Sequence, residues 1–537
     1  MNNNNTFKSI KGISNRAIIV ILDGFGINPK APQNAIVSAK KPNIDYLFSH
    51  YPYTTIQGSG VYVGLPDGIP GNSEVGHLNI GAGRPVRQDL VRINEAVKEK
   101  TLASMPKMKE LIEKARASTK RIHLMGLLSD GGVHSDINHI AEVIRILSQE
   151  KDLQIFYHAF MDGRDTPTTN GAKYIKEIMK VPGFHFSSIQ GRSIGMDRDK
   201  RWPKIEVAYK MMIGEGSITN ITNTSTNTFG PVEYINEEYK KNIFDEFITP
   251  TLFNKDWAIK NDDTIFFLNF RPDRARQITM AFADSKFKEF ATPVKAGYYL
   301  CMSPYFEEEL PLPILFDKEK IKGTLSYFLS TKNIKHFKIA ETEKYAHVTY
   351  FFNGGEEVPF PGEDRMLVPS PREVKTYDEK PQMSAYLVLD KLLENMNKSD
   401  YKFYLINFAN PDMIGHTGNF QAAVKAIETV DECVGKIMQK CDEQNMTMIL
   451  TSDHGNADQM ALEDGSPHTS HTVSQVPFVI YNKAVLEDQK FEINKEGMGV
   501  DQGKIKASFA LKDIAPTLLY VLDIESPSNF VGVNIFR

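Results

Sequence analysis

Several short apolar runs in this sequence end close to side chains that bind metal ions or phosphate. The runs and the side chains that follow them are AIIVIL with Asp23, KFYLINFA with Asp412 and His416, and MTMILTS with Asp453 and His454. Continuous apolar runs of this length are typical of strands buried in a parallel sheet. Because the carboxyl ends of parallel strands meet at one edge of the sheet, we expect these side chains to converge there, although they come from opposite ends of the chain.

A serine in the glycine-flanked segment GNSEVGH is the candidate nucleophile. Ser73 lies between Gly71 and Gly76, a pattern that indicates a tight turn exposing the hydroxyl at the start of a helix, where backbone amides can also face a phosphate. A serine hydroxyl is a poor nucleophile at neutral pH and needs a base or a metal ion. No base of the usual hydrolase kind is adjacent, so the combination predicts metal-assisted phosphoryl transfer.

The spacing of the candidate metal ligands indicates two cations. Asp412 and His416 are four residues apart and can face one cation from a single helical turn. The adjacent aspartate and histidine at 453–454 point in different directions from a strand end and can serve two cations. His471 completes the set, although His468 fits the spacing equally well. Mixed carboxylate and imidazole ligation favours manganese, zinc or a related ion over calcium.

Arginines collect in the middle of the chain, in short segments beside glycine or proline. These segments are DGRDTPT with Arg164 and Asp165, GRSIGMDRDKRW with Arg192 and Arg198, and NFRPDRARQ with Arg271 and Arg274. The planar guanidinium group binds carboxylate and phosphate through two parallel hydrogen bonds. Any one segment is more simply explained by surface ion pairs with its own aspartates. Three such segments in one region favour a small-anion site.

Strand and helix patterns alternate along the chain, which predicts an α/β fold with parallel sheets. A length of 537 residues favours two domains. The metal-seeking residues lie toward both ends of the chain and the arginines in the middle, so we expect a metal domain split by an inserted substrate domain. The predicted segments are 1–87, 88–315 and 316–537, with crossings near GAGRPVRQD and SPYFEEELPLPILF.

The amino-acid composition limits the classes of binding partner and the cellular compartment that we expect for this protein. The net charge of −4 argues against general binding to nucleic acid or anionic membranes. Three cysteines without paired spacing and an asparagine-rich start without an apolar region favour the cytoplasm. The early apolar run of six residues is far shorter than the roughly 20 that span a bilayer. The expected partner is a small molecule, and a monomer is expected.

Ten segments resemble those of one family, the cofactor-independent phosphoglycerate mutases of the alkaline-phosphatase-like superfamily. They are LDGFG (22–26), GNSEVGHLNIGAGR (71–84), SDGGVHS (129–135), DGRDT (162–166), MDRDKRW (196–202), NFRPDRARQ (269–277), ETEKYAHVT (341–349), NPDMIGHTG (410–418), TSDHGNAD (451–458) and PHTSHT (467–472). The resemblance covers nearly the whole chain. It implies interconversion of 3- and 2-phosphoglycerate in glycolysis and gluconeogenesis, without added bisphosphoglycerate.

The resemblance also implies a role for each matching residue. It assigns one metal ion to Asp412, His416 and His471, and a second to Asp23, Ser73, Asp453 and His454. It assigns substrate contacts to His134, Arg164, Asp165, Arg192, Arg198, Arg271, Arg274 and Lys344. It also implies that Ser73 becomes phosphoserine. From their chemistry we expect Lys344 to neutralise the transferring phosphoryl group and Asp165 to move protons. The ions are expected to be Mn²⁺. Other histidines, including His77, are expected to be core or surface residues.

Other functions remain to be weighed against this one. A phosphatase on the same scaffold would transfer the phosphoryl group to water, but it would not need an arginine-bearing inserted domain to hold the dephosphorylated product. An inactive metal-binding scaffold would be expected to lack at least one ligand. An enzyme acting on a pentose phosphate is disfavoured by the extent of the match outside the metal ligands.

Overall fold

The computed structural model describes residues 15–217, 219, 222–224, 227–306, 309–317, 321–398, 400–483, 500–501, 504–505 and 509–535. The chain forms two compact units. The split unit comprises Met1–Gln88 and Lys320–Arg537, and the inserted unit comprises Asp89–Glu319. The crossings predicted from the sequence, after residues 87 and 315, lie one and four residues before these divisions.

A seven-stranded sheet forms the centre of the split unit. Its strands are, in spatial order, Glu363–Val368, His336–Glu341, Phe403–Phe408, Ala17–Leu22, Thr447–Thr451, Val476–Tyr481 and Tyr53–Ile56. The first five are parallel, and Val476–Tyr481 is antiparallel to both of its neighbours, so Tyr53–Ile56 runs in the same direction as the first five. Every residue of Ala17–Leu22 is fully buried, and alternate side chains enter the cores on opposite faces of the sheet. Burial on both faces explains why this strand is continuously apolar.

Helices cover both faces of this sheet. They are Ala35–Ser38, Pro42–His50, Ser73–Ala82, Leu325–Thr331, Thr342–Ala346, Ala385–Lys398, Asn410–Gly415, Phe420–Glu443 and Ile514–Val521, with a π-helical turn at His347–Phe351. The longest, Phe420–Glu443, is capped by the preceding Asn419, whose side chain accepts a hydrogen bond from the Ala422 amide at 3.2 Å. Apolar residues seven positions apart on this helix, such as Ile427 and Val434, are buried in the core. A short antiparallel pair joins Val500–Asp501 and Lys504–Ile505.

The inserted unit contains a six-stranded sheet. Its strands are, in spatial order, Tyr298–Cys301, Thr264–Phe267, Arg121–Leu128, Gln154–Met161, His185–Gly191 and Thr251–Leu252, of which the last is antiparallel to its neighbour and the others are parallel. Its helices are Asp89–Lys98, Pro106–Ala117, Ile137–Leu147, Gly171–Ile178, Arg192–Gly195, Trp202–Met212, Pro231–Lys240 and Arg276–Ala283, and Thr222–Thr224 pairs with Asn227–Phe229. The strand Arg121–Leu128 and the helix Ile137–Leu147 that follows it show the alternation of strand and helix expected of an α/β fold.

No helix in the described part of the chain combines the length and apolar character needed to cross a membrane.

Candidate active site

Four neighbouring strands of the split unit lead into the predicted site residues at the carboxyl edge of the sheet. Asp23 follows Ala17–Leu22, Asp412 lies on the helix after Phe403–Phe408, Asp453 follows Thr447–Thr451, and Lys344 lies on the helix after His336–Glu341. Gly24 has a φ of +75°, and a Cβ there would lie 2.8 Å from the Asp412 Cα. A larger residue at this position would therefore force the Asp23 loop away from the helix that carries Asp412.

Ser73 begins a helix, as predicted. The Asn72 side chain caps this helix by accepting a hydrogen bond from the Val75 amide at 2.9 Å. A Cβ at Gly76 would lie 2.7 Å from the Asp453 Cβ, so glycine lets the helix approach the acidic loop closely. The buried Ser73 Oγ lies 2.6 Å from Lys344 Nζ, 3.0 Å from His454 Nε2 and 3.1 Å from Asp23 Oδ1.

Lys344 joins the serine to two buried carboxylates. Its Nζ donates to Asp23 Oδ1 at 2.7 Å and to Asp412 Oδ2 at 2.6 Å. Burial opposes ionisation of all three groups, but their mutual attraction outweighs it. The charge of Lys344 holds the pKa of both carboxyls well below the usual range, and the carboxylates raise the pKa of the lysine. A positive charge is therefore needed at this point of the molecule.

Two histidines present lone pairs to the same carboxylate. The Nδ1 atoms of His416 and His471 each lie 2.8 Å from a backbone carbonyl oxygen, of Thr469 and Gly71 respectively. Since carbonyls only accept, both Nδ1 atoms carry hydrogen, and in the neutral imidazoles both Nε2 atoms are left as acceptors. The two Nε2 atoms are 3.0 Å apart and lie 3.2 and 3.3 Å from Asp412 Oδ1. Three converging acceptors require a cation or a proton among them.

Two groups of three ligands each bring their donor atoms within 4.8 Å of one another, and both include His454. The groups are Asp23, Asp453 and His454, and Asp412, His454 and His471. The sequence resemblance assigns His454 to one ion alone, whereas here it lies within reach of both groups. Among the residues that the structure describes, none donates a hydrogen bond to the buried Asp453 Oδ2.

The protonation of His454 also fits a cation site. Burial opposes its protonation, but the charge of Asp453 and the hydrogen bond to Asp23 raise its pKa to about 9. A bound cation would replace that proton, because a ligating imidazole is neutral. These donor atoms, a mixture of carboxylate oxygens and imidazole nitrogens, fit manganese or zinc better than calcium.

The choice between the two histidines of the HTSHT segment could not be made from spacing alone. His471 lies beside Asp412, whereas His468 Nδ1 lies 3.0 Å from the carbonyl oxygen of Gln459. The segment that carries His471 is attached to the His454 loop. The Thr472 amide donates to the Gly455 carbonyl at 2.9 Å, and the Thr472 hydroxyl donates to Asp458 at 3.0 Å.

Residues that the sequence analysis did not single out support the carboxylates. Asn407 Nδ2 donates to Asp23 Oδ2 at 2.7 Å, and Asn456 Nδ2 donates to Asp412 Oδ1 at 2.8 Å. Asn407 interrupts an otherwise apolar buried strand, which is a signal that the sequence does offer. A buried amide is stable only where its hydrogen bonds are satisfied, so its presence indicates a polar partner.

In the inserted unit, Arg192 lies within a fixed set of hydrogen bonds. It follows the strand His185–Gly191 and is almost fully buried, with Nη1 2.6 Å from Asp162 Oδ1 and 2.5 Å from Asp165 Oδ2. Asp162 also accepts from the Ser129 hydroxyl at 2.7 Å. These contacts hold the Asp165 carboxylate against the buried guanidinium group of Arg192 at the carboxyl edge of the sheet.

The other arginines gather around a second aspartate. Arg198 Nη1 and Arg271 Nε lie 2.9 and 3.2 Å from Asp273, and both side chains are about half exposed. The buried Arg274 donates to the Met196 carbonyl at 3.0 Å. Burial and the charges of Arg192, Arg198 and Arg164 lower the pKa of Arg274, so these groups lie close enough to repel one another. One aspartate shared by two arginines leaves donors for an anion.

His134 lies beside this cluster, and Arg164 is more exposed. Burial and the charge of Arg192 lower the pKa of His134 to about 4, which leaves the imidazole uncharged at neutral pH. Its Nε2 is 3.9 Å from Asp165 and its Nδ1 is 3.7 Å from Asp273. The Arg164 guanidinium lies 3.6 Å from Glu246. The inserted unit thus brings six of its seven predicted binding residues into one cluster, and the seventh, Arg164, is more exposed and pairs with Glu246.

Known proteins resemble this chain along nearly its whole length. The model of the metalloenzyme superfamily matches residues 15–526. A 2,3-bisphosphoglycerate-independent phosphoglycerate mutase from Clostridium beijerinckii is 43% identical over 528 residues, covering 96% of this chain and 98% of that protein. One from Moorella thermoacetica is 42% identical over 531 residues, with the same coverage. A crystal structure of Leishmania mexicana phosphoglycerate mutase at low cobalt concentration has a TM-score of 0.66 and 27% identity, covering 99% of each chain.

These matches confirm the family resemblance and the α/β fold class predicted from the sequence. Identity above 40% that extends over almost the full length of both chains includes the inserted unit as well as the split unit. The similarity is therefore not limited to a shared metal-binding scaffold. The chain belongs to the 2,3-bisphosphoglycerate-independent phosphoglycerate mutases, a family of metal-dependent isomerases within the metalloenzyme superfamily.

Proposed function

We propose that this protein interconverts 3-phosphoglycerate and 2-phosphoglycerate through a phosphoserine formed on Ser73. The reaction uses two divalent metal ions, with Mn²⁺ as the preferred ion, and no bisphosphoglycerate. The observation that carries the proposal is the buried Ser73 hydroxyl, which contacts Lys344, His454 and Asp23 at 2.6 to 3.1 Å. A hydroxyl placed among a cation and metal-type ligands is suited to attack phosphorus rather than to cap a helix.

The predicted ligands divide into two sets in this proposal. Asp412, His416 and His471 would hold one ion, and Asp23, Ser73, Asp453 and His454 would hold the other. Bound ions supply Lewis acidity that lowers the pKa of the serine hydroxyl and offsets phosphate charge. Lys344 already lies 2.6 Å from Ser73 Oγ and adds a fixed positive charge beside the attacked phosphoryl group.

The reaction proceeds in two displacements. In the first, Ser73 Oγ gives up its proton and forms a bond to phosphorus, the bond from phosphorus to the glycerate oxygen breaks, and that oxygen takes up a proton. In the second, the other glycerate hydroxyl gives its proton to a base and its oxygen attacks the phosphoserine, the bond from phosphorus to Ser73 Oγ breaks, and Oγ takes up a proton again. Asp165 is suited to carry these protons, because its carboxylate is held by Arg192 beside the uncharged His134.

The arginines of the inserted unit serve to retain the glycerate between the two displacements. Arg198 and Arg271 share Asp273, and therefore keep donors for the substrate carboxylate. A phosphatase releases its dephosphorylated product and has no use for such a set. The arginine cluster thus supports the mutase over the phosphatase.

A direct assay tests the proposed reaction. Incubation with 3-phosphoglycerate and Mn²⁺, without bisphosphoglycerate, is expected to yield 2-phosphoglycerate and no stoichiometric inorganic phosphate, as measured by phosphorus NMR. Removal of metal with a chelator is expected to abolish the reaction, and titration with Mn²⁺, Mg²⁺, Co²⁺ or Zn²⁺ identifies the preferred ion. Release of phosphate without the isomer would favour the phosphatase, and dependence on added bisphosphoglycerate would rule out the phosphoserine route.

Replacing Arg271 with glutamine is expected to raise KM more than it lowers kcat. Loss of one charge-assisted hydrogen bond costs about 1.5–3 kcal/mol, which corresponds to a rise of about 10- to 100-fold. The control is Arg116→Gln in the same unit, because Arg116 is similarly exposed, at 42% against 48%, and pairs with the surface residue Asp152. Unchanged steady-state kinetics for Arg271→Gln would remove Arg271 from the binding site.

A further inference from the structure

A chain of hydrogen bonds runs behind the carboxylates of the split unit and begins at Asn407. This residue lies in the fully buried strand Phe403–Phe408. Its Nδ2 donates to Asp23 Oδ2 at 2.7 Å and lies 3.1 Å from His77 Nε2. A carboxylate can only accept, which fixes the orientation of the amide and directs its second hydrogen to the histidine. His77 Nε2 is therefore an acceptor.

The acceptor role of Nε2 determines where His77 carries its hydrogen. With Nε2 unprotonated, the hydrogen is on Nδ1. That nitrogen donates to the Ser73 carbonyl oxygen at 2.8 Å and lies 3.2 Å from Asp453 Oδ2. His77 is fully buried and lies one helical turn after Ser73. One imidazole thus contacts the backbone of the serine and approaches a carboxylate from another loop.

The position of Asp453 makes this contact important. Its Oδ1 is near the Gly24 and His454 amides, at 3.4 and 3.1 Å, whereas its Oδ2 accepts no hydrogen bond among the described residues. On the side of the Ser73 helix, Asp453 Oδ2 faces the partial positive charge of His77 Nδ1–H. Groups that orient ligating side chains in this way set both their direction and their basicity.

We propose that His77 is a positioning residue of the metal site, set in its Nδ1–H tautomer by Asn407, and that it orients both the Ser73 turn and the Asp453 carboxylate for cation binding. The inference rests on the proposed function, since it takes these residues to be ligands. The proposed role requires the hydrogen bonds of the His77 imidazole. A ring of similar size without nitrogen atoms would not fulfil it.

Replacement of His77 by phenylalanine tests this role, with Mn²⁺ alone as the probe. Phenylalanine keeps a ring that packs near His347, at 5.6 Å between centroids, but removes both nitrogens. Mn²⁺ affinity, measured by electron paramagnetic resonance on the full chain, is expected to fall by about 10- to 100-fold. His77→Asn, which retains a donor near the Nδ1 position, is expected to recover most of the affinity.

A second buried histidine of the same unit provides the control. His336 lies 3.6 Å from Glu363 and 3.2 Å from the Ile334 carbonyl, and makes none of the contacts to the Asp23, Ser73 and Asp453 cluster. His336→Phe is expected to lower Tm but to leave Mn²⁺ affinity at the parent value. If His77→Phe does not fold, Asn407→Leu removes both the group that sets the tautomer and a donor to Asp23, and is expected to weaken Mn²⁺ binding at least as much.

Three results would overturn the inference. They are parent-like Mn²⁺ affinity in His77→Phe or in Asn407→Leu, an equal loss in His336→Phe, and failure of a folded His77→Asn to bind better than His77→Phe. Absence of Mn²⁺ binding in the parent protein would be a different result. It would remove the proposed metal site itself, and the role of His77 with it.

Discussion

Replacing Ser73 with alanine is expected to lower turnover by about 10⁴-fold or more while leaving the protein folded. The hydroxyl oxygen is the atom that would form the bond to phosphorus in the proposed route, and alanine has no atom in its place. Lys344, Asp23 and His454 would each keep their positions, but they bear on the phosphoryl group only through charge and hydrogen bonds. Turnover is measured by coupled assay or phosphorus NMR at saturating Mn²⁺.

The stability of the Ser73→Ala protein should change little. Lys344 and Asp23 contact each other directly at 2.7 Å, so removal of the hydroxyl leaves both paired. The expected cost is about 1 kcal/mol, the usual value for one hydrogen bond. Ser326, a buried serine on the helix Leu325–Thr331 of the same unit, provides the matched control, and Ser326→Ala is expected to keep full turnover.

Acid quenching during turnover separates the phosphoserine route from other mechanisms. Mass spectrometry is expected to find a phosphate on the peptide that contains Ser73 in the parent protein, and none in Ser73→Ala. Appreciable isomerisation by a folded Ser73→Ala protein would contradict the route. So would a parent enzyme that turns over rapidly but never carries phosphate on this serine.

The positions of the acidic residues could be predicted from the sequence because their strands are buried on both faces. Such strands are continuously apolar, so the first charged residue after each one marks the carboxyl edge of the sheet. This reasoning correctly placed Asp23 and Asp453 after strands that end at residues 22 and 451. The capped helix start at Ser73 could be predicted for a similar reason, since Asn72 and the flanking glycines are local signals.

The pairing of distant residues could not be derived in the same way. His416 and His471 are 55 residues apart, and nothing in either segment states that their Nε2 atoms meet at 3.0 Å. The sharing of His454 between two groups of ligands depends on how three loops pack together. Only the family resemblance favoured His471 over His468, because local spacing carries no information about contacts between loops.

His77 was expected to be a core or surface residue because a single histidine has no distinguishing local pattern. Two signals were nevertheless available. His77 lies four residues after Ser73, and therefore on the same face of the helix. Asn407 is an amide within a buried apolar strand, where it requires a polar partner. Each signal is weak alone, and the structure joins them through the 3.1 Å contact between the two side chains.

Replacing Lys344 with methionine is expected to lower turnover by about 10²- to 10³-fold, because a fixed charge beside the phosphoryl group is lost. It should also destabilise the metal-free protein by about 3–5 kcal/mol, the usual cost of leaving buried charges without their partner. Asp23 and Asp412 both contact this lysine and are almost fully buried. Chemical denaturation of the metal-free protein measures the loss.

Mn²⁺ should offset much of this particular loss of stability, because a bound cation returns positive charge to the same carboxylates. Lys338→Met provides the control, since Lys338 is equally buried in the same unit but pairs with Glu363 at 3.0 Å. We expect the two variants to lose similar stability without metal, and Mn²⁺ to raise the Tm of Lys344→Met by more than that of Lys338→Met or of the parent. Equal Mn²⁺ stabilisation of both variants would show that Lys344 does not share its carboxylates with the cation. Near-normal turnover of Lys344→Met would exclude Lys344 from phosphoryl transfer.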